Sequence, residues 1–459
     1  MKFPAAFLLL ALSLSTLCGQ DEKKPAQPAP WKAGAAATVI TPEKNMWMAG
    51  YGGRKAPSEG KFTDLWAKAL VLDDDKGNRG LILTLDLVGI DRELAGKVCE
   101  QLKAIHGFDR EAVAICTSHT HSGPVVGKNL APLHYLSVDP EQQKLIDEYA
   151  ETLVEKIVEV SGKAIAAIAP ARLQWGSGKS TFAVNRRENK PYSEVPDRRA
   201  RGLLKGPVDH DVPVLSVRDG EGNLKAVLFG YACHATVIGL QKWSGDYPGY
   251  AQIELEKANP GCIALFWAGC GGDQNPLPRR EVKYAEEYGA ELAEAVGEVL
   301  AAPMPDLPAK LSLMYEEIDL SLAKVPTPDE IKAEGKSLNR FEVARSKYLL
   351  RKIENQGGLK GNYPFPIGFW KIGGGEVEFI TLGGEVTVEY ALRLKRERAE
   401  IRTWVAAYAN DVMAYIPSLK VLKEGGYEGG GSNVYYGLPA LWSENIEEEI
   451  VKGVNALGN

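Results

Sequence analysis

The chain has 459 residues, of which 45% are hydrophobic and 25% are charged, and its formal net charge is −6. This composition is typical of a globular protein with a large core. No basic block stands out, so nucleic acid is not an expected partner.

The chain begins with a segment that predicts export. Residues 1–19 carry an apolar run that is too short to span a bilayer and ends in small and polar residues, as in a secretory signal peptide. The Pro/Ala-rich stretch 20–34 is predicted to be an extended tether. Cys18 allows a lipoprotein interpretation, although Leu17 is larger than the residue that such a site prefers. We therefore expect an exported protein, periplasmic, extracellular or lipid-anchored, whose folded part spans 35–459.

The folded part alternates strand and helix patterns. Residues 80–90 predict a buried strand, 91–107 a helix with an Asp cap and a Gly stop, and 112–118 a second strand. This order indicates a crossover unit, and hence a mixed, largely parallel sheet flanked by helices. The later patterns predict, in order, a helix at 140–168, a hairpin at 213–234, a helix at 247–259, a strand at 262–269, a helix at 281–301 and a strand at 376–386. Without an internal repeat or a clear linker, these elements predict one large α/β domain.

The segment 303–375 differs from its surroundings in being rich in Pro, Lys and Gly. Thr327 and Glu330 have the spacing of a capping box at the start of a helix. The segment is predicted to be an insertion or a lid. If it is a lid for lipid extraction, deleting it should change the hydrolysis of lipid substrates more than that of soluble ones.

Five cysteines follow Cys18, and this odd, sparse set does not indicate a disulfide framework. One bridge is allowed in an exported protein, but most of these residues lie in apolar runs. We expect them to be buried packing residues. They are Cys99, Cys116, Cys233, Cys262 and Cys270.

Histidines follow two of the predicted strands. His119 and His121 lie in "TSHTHSGP", and His234 lies in "YACHATV". Residues i and i+2 of an extended segment point to the same side, and ligands bind at the carboxyl ends of strands in open α/β sheets. Neutral imidazoles in such positions can form a transition-metal site. The alternative is that they are ordinary hydrogen-bonded residues at strand ends, which predicts no bound metal.

Ten motifs recur along the folded part in a fixed order: "AGAAATVITP", "MAGYGGR", "FTDLWAKALVLDD", "TSHTHSGP", "VNRR", "YACHATV", "SGDYPGYAQ", "LGGEVTVEYALRL", "AYIPS" and "GYEGGGSNVYYG". As an ordered set they resemble the neutral/alkaline, non-lysosomal ceramidase family. Members of that family are zinc amidohydrolases that cleave the amide bond of N-acylsphingosine. The resemblance runs through most of the chain and implies a single zinc-hydrolase domain.

The resemblance also implies site residues. His121 would contact the substrate or handle a proton, while Arg186 and Tyr427 would hold polar atoms of the substrate near the scissile amide. We accordingly predict hydrolysis of ceramide-like lipids by metal-activated water, with peripheral membrane contact allowed and no obligate protein partner. Asp246 and Asp273 would either orient the ligands or cap turns. One Zn²⁺ ion per chain would have four ligands: His119, His234, Glu385 and Tyr415.

Two departures from the family pattern keep alternatives open. Asn275 occupies, in "GGDQNP", the position where the family usually has a serine; asparagine can donate a hydrogen bond to an oxyanion but cannot be a nucleophile. The chain also stops soon after "YYGLPAL", where family members commonly carry an immunoglobulin-like domain. The alternatives are a zinc hydrolase of another N-acyl or ester substrate and a non-catalytic exported protein that binds a ligand.

Overall fold

The computed structural model describes residues 31–458 together with Met1. The predicted signal peptide 1–19, with Cys18, and most of the tether lie outside the described residues. The first strand begins at Trp31, inside the last residues of the predicted tether. No described helix is both long enough and apolar enough to cross a membrane.

The described residues form strands and helices in alternation. The strands are β1 (Trp31–Val39), β2 (Trp66–Asp73), β3 (Arg79–Leu85), β4 (Val113–Thr117), β5 (Ala169–Lys179), β6 (Ala183–Asn185), β7 (Asp211–Arg218), β8 (Leu224–Tyr231), β9 (Ile263–Ala268), β10 (Gln274–Pro276), β11 (Leu311–Ser321), β12 (Asn362–Ile372), β13 (Val377–Leu382), β14 (Glu385–Val386), β15 (Arg402–Ala406) and β16 (Tyr415–Ile416). The α-helices are α1 (Arg92–His106), α2 (Pro140–Ala166), α3 (Val195–Ala200), α4 (Asp246–Ala258), α5 (Val282–Ala301), α6 (Pro328–Glu334), α7 (Arg340–Gln356), α8 (Val388–Glu397), α9 (Leu419–Glu424), α10 (Asn433–Tyr436) and α11 (Ile446–Gly458).

The main sheet has eight strands in the order β4-β3-β2-β1-β5-β7-β8-β9. The mixed α/β class predicted from the sequence is confirmed, but the expectation of a largely parallel sheet is wrong. Only the outermost pairs, β3–β4 and β8–β9, are parallel; every pair between them is antiparallel. Two of the antiparallel pairs, β2–β3 and β7–β8, are joined by short turns, which exclude a parallel arrangement because a parallel partner needs a longer crossover.

Aspartates build both of these short turns. Between β2 and β3, Asp74 Oδ1 accepts the backbone N–H groups of Lys76 (2.9 Å) and Asn78 (2.8 Å). Asp219 makes the same kind of turn between β7 and β8. Such side chains satisfy the backbone of a tight turn locally. The hairpin predicted over 213–234 is thereby confirmed.

The parallel pairs arise from the predicted crossover unit and from a second one like it. Helix α1 connects β3 to β4; the side chain of Asp91 accepts the N–H of Leu94, and Gly107 ends the helix in the left-handed conformation (φ 76°). Helix α4 connects β8 to β9 in the same way. The helix predicted over 91–107 and the strands on either side of it are therefore confirmed.

A second sheet, β11-β12-β13-β15, packs against the main one. Alternate residues of β2 face the two layers: Ala69 and Val71 belong to the core on the helical side, whereas Leu70 and Leu72 pack with Trp370 of β12. The main sheet is thus covered by helices on one face and by the second sheet on the other.

The segment 303–375 supplies half of this second sheet. Strands β11 and β12 pair along their whole length, and α6 and α7 lie between them in the chain. The capping box of Thr327 and Glu330 starts α6 as predicted. A lid role for the segment stays a prediction, and it concerns α6 and α7, since the strands belong to the sheet.

The two edge strands of the main sheet, β4 and β9, approach each other, and the segment 406–410 lies between them. The N–H of Asn410 donates to the carbonyl of Ile115 in β4 (2.8 Å), and the N–H of Ala407 donates to that of Ala268 in β9 (2.9 Å). This bridge brings the loops that follow β4 and β8 to one place, and these loops carry the predicted histidines.

The five cysteines within residues 31–458 are all buried, and none forms a disulfide. Burial raises the pKa of the Cys116 and Cys262 thiols to about 12, so both are protonated and inert at neutral pH. The prediction of buried packing residues is confirmed.

Candidate metal centre

Two buried histidines present the same ring nitrogen to one point. His119 Nδ1 lies 2.5 Å from the carbonyl oxygen of Val88, and His234 Nδ1 lies 2.6 Å from that of Gly271. Each Nδ1–H donates to its carbonyl, so each Nε2 keeps its lone pair. Burial lowers the pKa of His234 to about 4, which keeps this imidazole neutral. The backbone carbonyls thus favour the tautomer whose Nε2 can bind a metal.

The Glu385 carboxylate faces both of these nitrogens. Its Oε2 lies 3.2 Å from His119 Nε2 and 3.0 Å from His234 Nε2, and among the described residues no group donates a hydrogen bond to it. The other oxygen accepts the hydroxyl of Tyr436. Burial acts to raise the pKa of Glu385, but its contacts with the two histidines hold it well below its ordinary value. Two ring nitrogens and one carboxylate oxygen therefore converge with no proton between them. A bound cation stabilises such an arrangement.

Tyr415 completes this group through the pairing of two short strands. Strands β14 and β16 are parallel, and Glu385 and Tyr415 are register partners. The Tyr415 hydroxyl lies 3.2 Å from His234 Nε2 and accepts a hydrogen bond from Arg186 Nη2 (3.0 Å). The four residues that the resemblance implied as ligands are therefore brought together.

His121 lies beside the same group. Its Nε2 is 3.1 Å from His119 Nε2, and its ring packs against Tyr51, with 4.8 Å between the ring centroids. Gly50 makes this position available: its φ is +87°, and a Cβ there would lie 2.4 Å from the His121 ring. Buried His134 accepts the N–H of Gly50 (3.0 Å) and so fixes the "MAGYGGR" loop against the ring.

The donor types suit zinc in two alternative sets. His119, His121 and His234 offer ring nitrogens within 4.8 Å of one another. Glu385 and Tyr415 lie against the same point, as described above. Imidazole, carboxylate and phenolate groups are all ligands that Zn²⁺ accepts. The residues present therefore fit a single metal ion, with either three histidines or two histidines, Glu385 and Tyr415 around it.

The predicted substrate-binding residues lie on one side of this centre. Arg186 Nε donates to Glu428 (2.7 Å), and Arg186 Nη1 donates to Asn275 Oδ1 (3.3 Å). Burial acts to lower the pKa of Arg186, but Tyr415 and Glu428 keep it well above its ordinary value, so the guanidinium stays charged. Tyr427 is 47% exposed, and its ring centroid is 5.7 Å from the Arg186 guanidinium carbon. Tyr427 thus stands at the open side of the centre.

Asp246 and Asp273 act on the loops rather than on the histidines. The Asp246 carboxylate accepts the N–H groups of Val237 (3.2 Å) and Ile238 (2.8 Å), just after His234. Asp273 accepts the N–H of Val388 (2.9 Å) and so ties the β9–β10 connection to the start of α8. Both carboxylates hold backbone that positions candidate ligands, which is the turn-capping role considered for them.

The sequence analysis did not predict two tyrosines that lie at the centre. Tyr408 is fully buried, has a φ of +53° and stacks on His119 with 4.2 Å between the ring centroids. Tyr436 donates its hydroxyl to Glu385. Tyr436 could have been found, because it lies in the "GYEGGGSNVYYG" motif. Tyr408 carries no local signal, since only the bridging of β4 and β9 brings it to His119.

This fold and this cluster together define an α/β protein with a candidate metal centre at the end of its main sheet. Residues 31–267, a little more than half of the chain, match the sequence model of the family described as neutral/alkaline non-lysosomal ceramidase, N-terminal. The chain belongs to this family, and the resemblance read from its motifs is confirmed.

Known members show how far the similarity extends. The neutral ceramidase of Pseudomonas aeruginosa is 29% identical over 281 residues, covering 59% of this chain and 41% of that protein. The neutral ceramidase of Drosophila melanogaster is 27% identical over 345 residues, covering 73% and 44%. The chain spans less than half the length of these curated relatives. The crystal structure of the Pseudomonas aeruginosa neutral ceramidase matches with a TM-score of 0.72 and 22% identity, over 94% of this chain and 74% of that one, which shows a shared fold.

Proposed function

We propose that the protein is a zinc-dependent amidohydrolase that cleaves the amide bond of N-acylsphingosine-like lipids. The observation that carries the proposal is the convergence of His119 Nε2, His234 Nε2 and Glu385 Oε2 without a shared proton. The relatives named neutral ceramidase support the substrate class. The signal-like segment 1–19 supports an exported location.

In this proposal His119, His234, Glu385 and Tyr415 hold one Zn²⁺ ion. Zinc supplies Lewis acidity, which polarises a carbonyl group and makes water a stronger acid. Among the ligands, Glu385 balances the charge of the ion, and the Nδ1 hydrogen bonds of the two histidines fix the rings. This set leaves His121 free for another role.

Arg186 is the candidate for stabilising the charge that develops on the amide oxygen. Its Nη1 lies 3.4 Å from His234 Nε2, and its Nη2 lies 3.0 Å from the Tyr415 hydroxyl, so the guanidinium borders the metal ligands. A fixed cation in a buried site stabilises a tetrahedral oxyanion strongly. Asn275 and half-exposed Tyr427 stand beside Arg186 and can add hydrogen bonds to the same oxygen.

His121 is the candidate for the proton that the leaving amine requires. Among the described residues its Nδ1 has no hydrogen-bond partner, and its Nε2 is directed at the centre. An imidazole at this distance from the metal ligands can take a proton at Nε2 from the attacking water and hand it to an amine that leaves on the Tyr51 side.

A second candidate function is hydrolysis of another N-acyl or ester substrate at the same centre. Asn275 favours it, because the family usually has a serine at this position and the side chain here lies against Arg186. A change beside the reacting group alters which substrates fit.

The test is hydrolysis of N-lauroylsphingosine by the purified protein, followed by mass spectrometry of the two products. We expect activity that is lost when metal is stripped and returns with zinc. His119→Ala should not respond to zinc, whereas His106→Ala, a histidine on α1 that binds the Val158 carbonyl, should behave like the wild type. A zinc-loaded protein that does not cleave N-lauroylsphingosine would overturn the proposal, and cleavage of another amide or of an ester by that protein would support the second candidate instead.

A further inference from the structure

Two cavities of about 540 and 530 Å³ open beside the centre. Arg186, Asn275 and Tyr427 line the first, together with Arg279. Tyr51 lines the second, together with Arg54, Lys55 and Arg280. The neighbours Arg279 and Arg280 thus contribute one residue to each cavity. They follow Asn275 in the turn that departs from the family pattern, and with Arg54 they form what we call the arginine rim.

Two residues of the rim, Arg54 and Arg280, lie on the His121 side of the centre, whereas Arg279 lines the cavity on the Arg186 side. The guanidinium carbon of Arg280 is 4.6 Å from the centroid of the Tyr51 ring, and that centroid is 4.8 Å from the His121 ring. Arg54 packs on the same tyrosine at 5.2 Å and donates to the backbone carbonyl of His121 (2.6 Å). A single tyrosine ring therefore separates Arg280 from the residue that would serve the leaving amine.

The guanidinium groups of the rim form no ion pair within the described residues. No carboxylate of these residues lies within 4.0 Å of them, and none lines the second cavity, whereas Glu188, Glu424 and Glu428 line the first cavity with Arg279. Arg186 and Arg187, by contrast, share the carboxylate of Glu428 at 2.7 and 2.8 Å. Burial and the neighbouring charge of Arg280 lower the pKa of Arg279.

Unpaired guanidinium groups at a cavity favour an anionic ligand. Their planar N–H pairs match the two oxygens of a carboxylate, and clustered cations attract anions into a cleft. N-acylsphingosine is neutral and offers nothing to this charge. We propose that the preferred substrate is an N-acyl compound whose amine half carries a carboxylate or another oxyanion, which Arg279 and Arg280 bind. The inference rests on the proposed amidohydrolase function and, within its second candidate, names a substrate class other than N-acylsphingosine.

The test compares N-lauroylglycine with N-lauroylethanolamine, which share the acyl chain and the amide and differ in the carboxylate. We expect kcat/KM to be at least about tenfold higher for the glycine compound, the effect of one good ionic contact. Arg280→Gln and Arg279→Gln should each reduce this ratio, mainly through KM, and leave hydrolysis of the ethanolamide unchanged. Arg172→Gln, an exposed arginine that pairs with Asp306, is the matched control and should keep the ratio. N-lauroyltaurine distinguishes recognition of any oxyanion from recognition of a carboxylate.

An equal kcat/KM for both substrates in the wild type, or a ratio retained in both rim variants, would overturn the inference. If no amide is cleaved, the proposed function fails instead, and calorimetry of N-lauroylglycine binding still tests the rim. Binding that weakens at least about tenfold in Arg280→Gln supports the rim as an anion site. Binding that is absent in the wild type or equal in the variant refutes it. Arg280 is exposed, so its variant should fold, which a thermal melt can check.

Discussion

At the candidate metal centre, each charge faces a partner: the Glu385 carboxylate lies against His119 and His234, and Arg186 is paired with Glu428. At the arginine rim, where Arg280 lies one tyrosine ring away from His121, no carboxylate of the described residues lies within 4.0 Å of a guanidinium group. The two regions are adjacent, but charged side chains have close partners at the centre and form no ion pair at the rim. The centre offers converging lone pairs to a cation, whereas the rim offers positive charge to an anion.

Removing the charge of Glu385 should have the largest effect on metal binding and activity. Glu385→Gln keeps the size of the side chain but removes the anion that balances the metal, so we expect bound zinc to be lost and kcat/KM to fall at least about 10³-fold. Glu376→Gln, on an exposed turn between β12 and β13, is the control. Full activity in the Glu385 variant would remove this residue from the ligand set.

His121→Ala should separate the two alternative ligand sets. If His121 handles a proton, the variant keeps its zinc and loses about 10²- to 10⁴-fold in kcat, the range for general acid–base groups. Metal content and kcat are measured on the same preparation. Loss of zinc to the extent seen in His119→Ala would instead favour the three-histidine set.

Tyr436→Phe tests the contact behind the centre. The change removes the hydroxyl that donates to Glu385, and contacts of this kind typically contribute 10- to 100-fold to metal affinity. We expect zinc affinity, measured by competition with a chelator, to fall by about that factor, while the fully loaded variant stays active. Tyr435→Phe, whose ring packs on Phe341, should bind zinc like the wild type. Equal affinities in the two variants would contradict the role assigned to Tyr436.

Asp411 gives a second comparison, because its carboxyl group is as buried as that of Glu385 but its pKa is raised rather than lowered. Burial raises its pKa to about 7, against the hydrogen bond from Tyr363 and the charge of Arg92. This folded value exceeds the unfolded value of about 3.9, so protonation of Asp411 stabilises the fold below about pH 3.9 and this contribution is lost as pH rises through about 7.

The Tm should therefore fall between about pH 5 and about pH 8, and Asp411→Asn should show a fall smaller by a few degrees. Thermal melts of the two proteins across this pH range measure the difference. Parallel curves would show that Asp411 does not titrate in this way.

Much of the centre was predictable because its signals are local. The histidines follow apolar strands directly, the Asp cap and Gly stop of α1 lie in one stretch of sequence, and the ordered motifs pointed to Glu385 and Tyr415. The pairing of distant strands is not local. Trp31 of β1 pairs with Ala171 of β5 in an antiparallel register that no short pattern encodes, and this is why the largely parallel sheet was a wrong expectation.

The same reason explains what was missed around the centre. Tyr408 reaches His119 only because 406–410 bridges the two edges of the sheet. Arg280 and Tyr51 are far apart in the chain and meet only in the fold. A pair of arginines after a proline turn is an ordinary surface feature in a sequence; only the structure shows that, among residues 31–458, neither has a carboxylate within 4.0 Å.

The central claim is that His119 and His234 hold a metal ion. The most direct test is the metal content of the purified protein and of its His119→Ala variant, measured by mass spectrometry. We predict about one zinc per chain in the wild type and almost none in the variant. Absence of metal from both proteins, even after zinc is supplied and the excess is removed, would contradict the account.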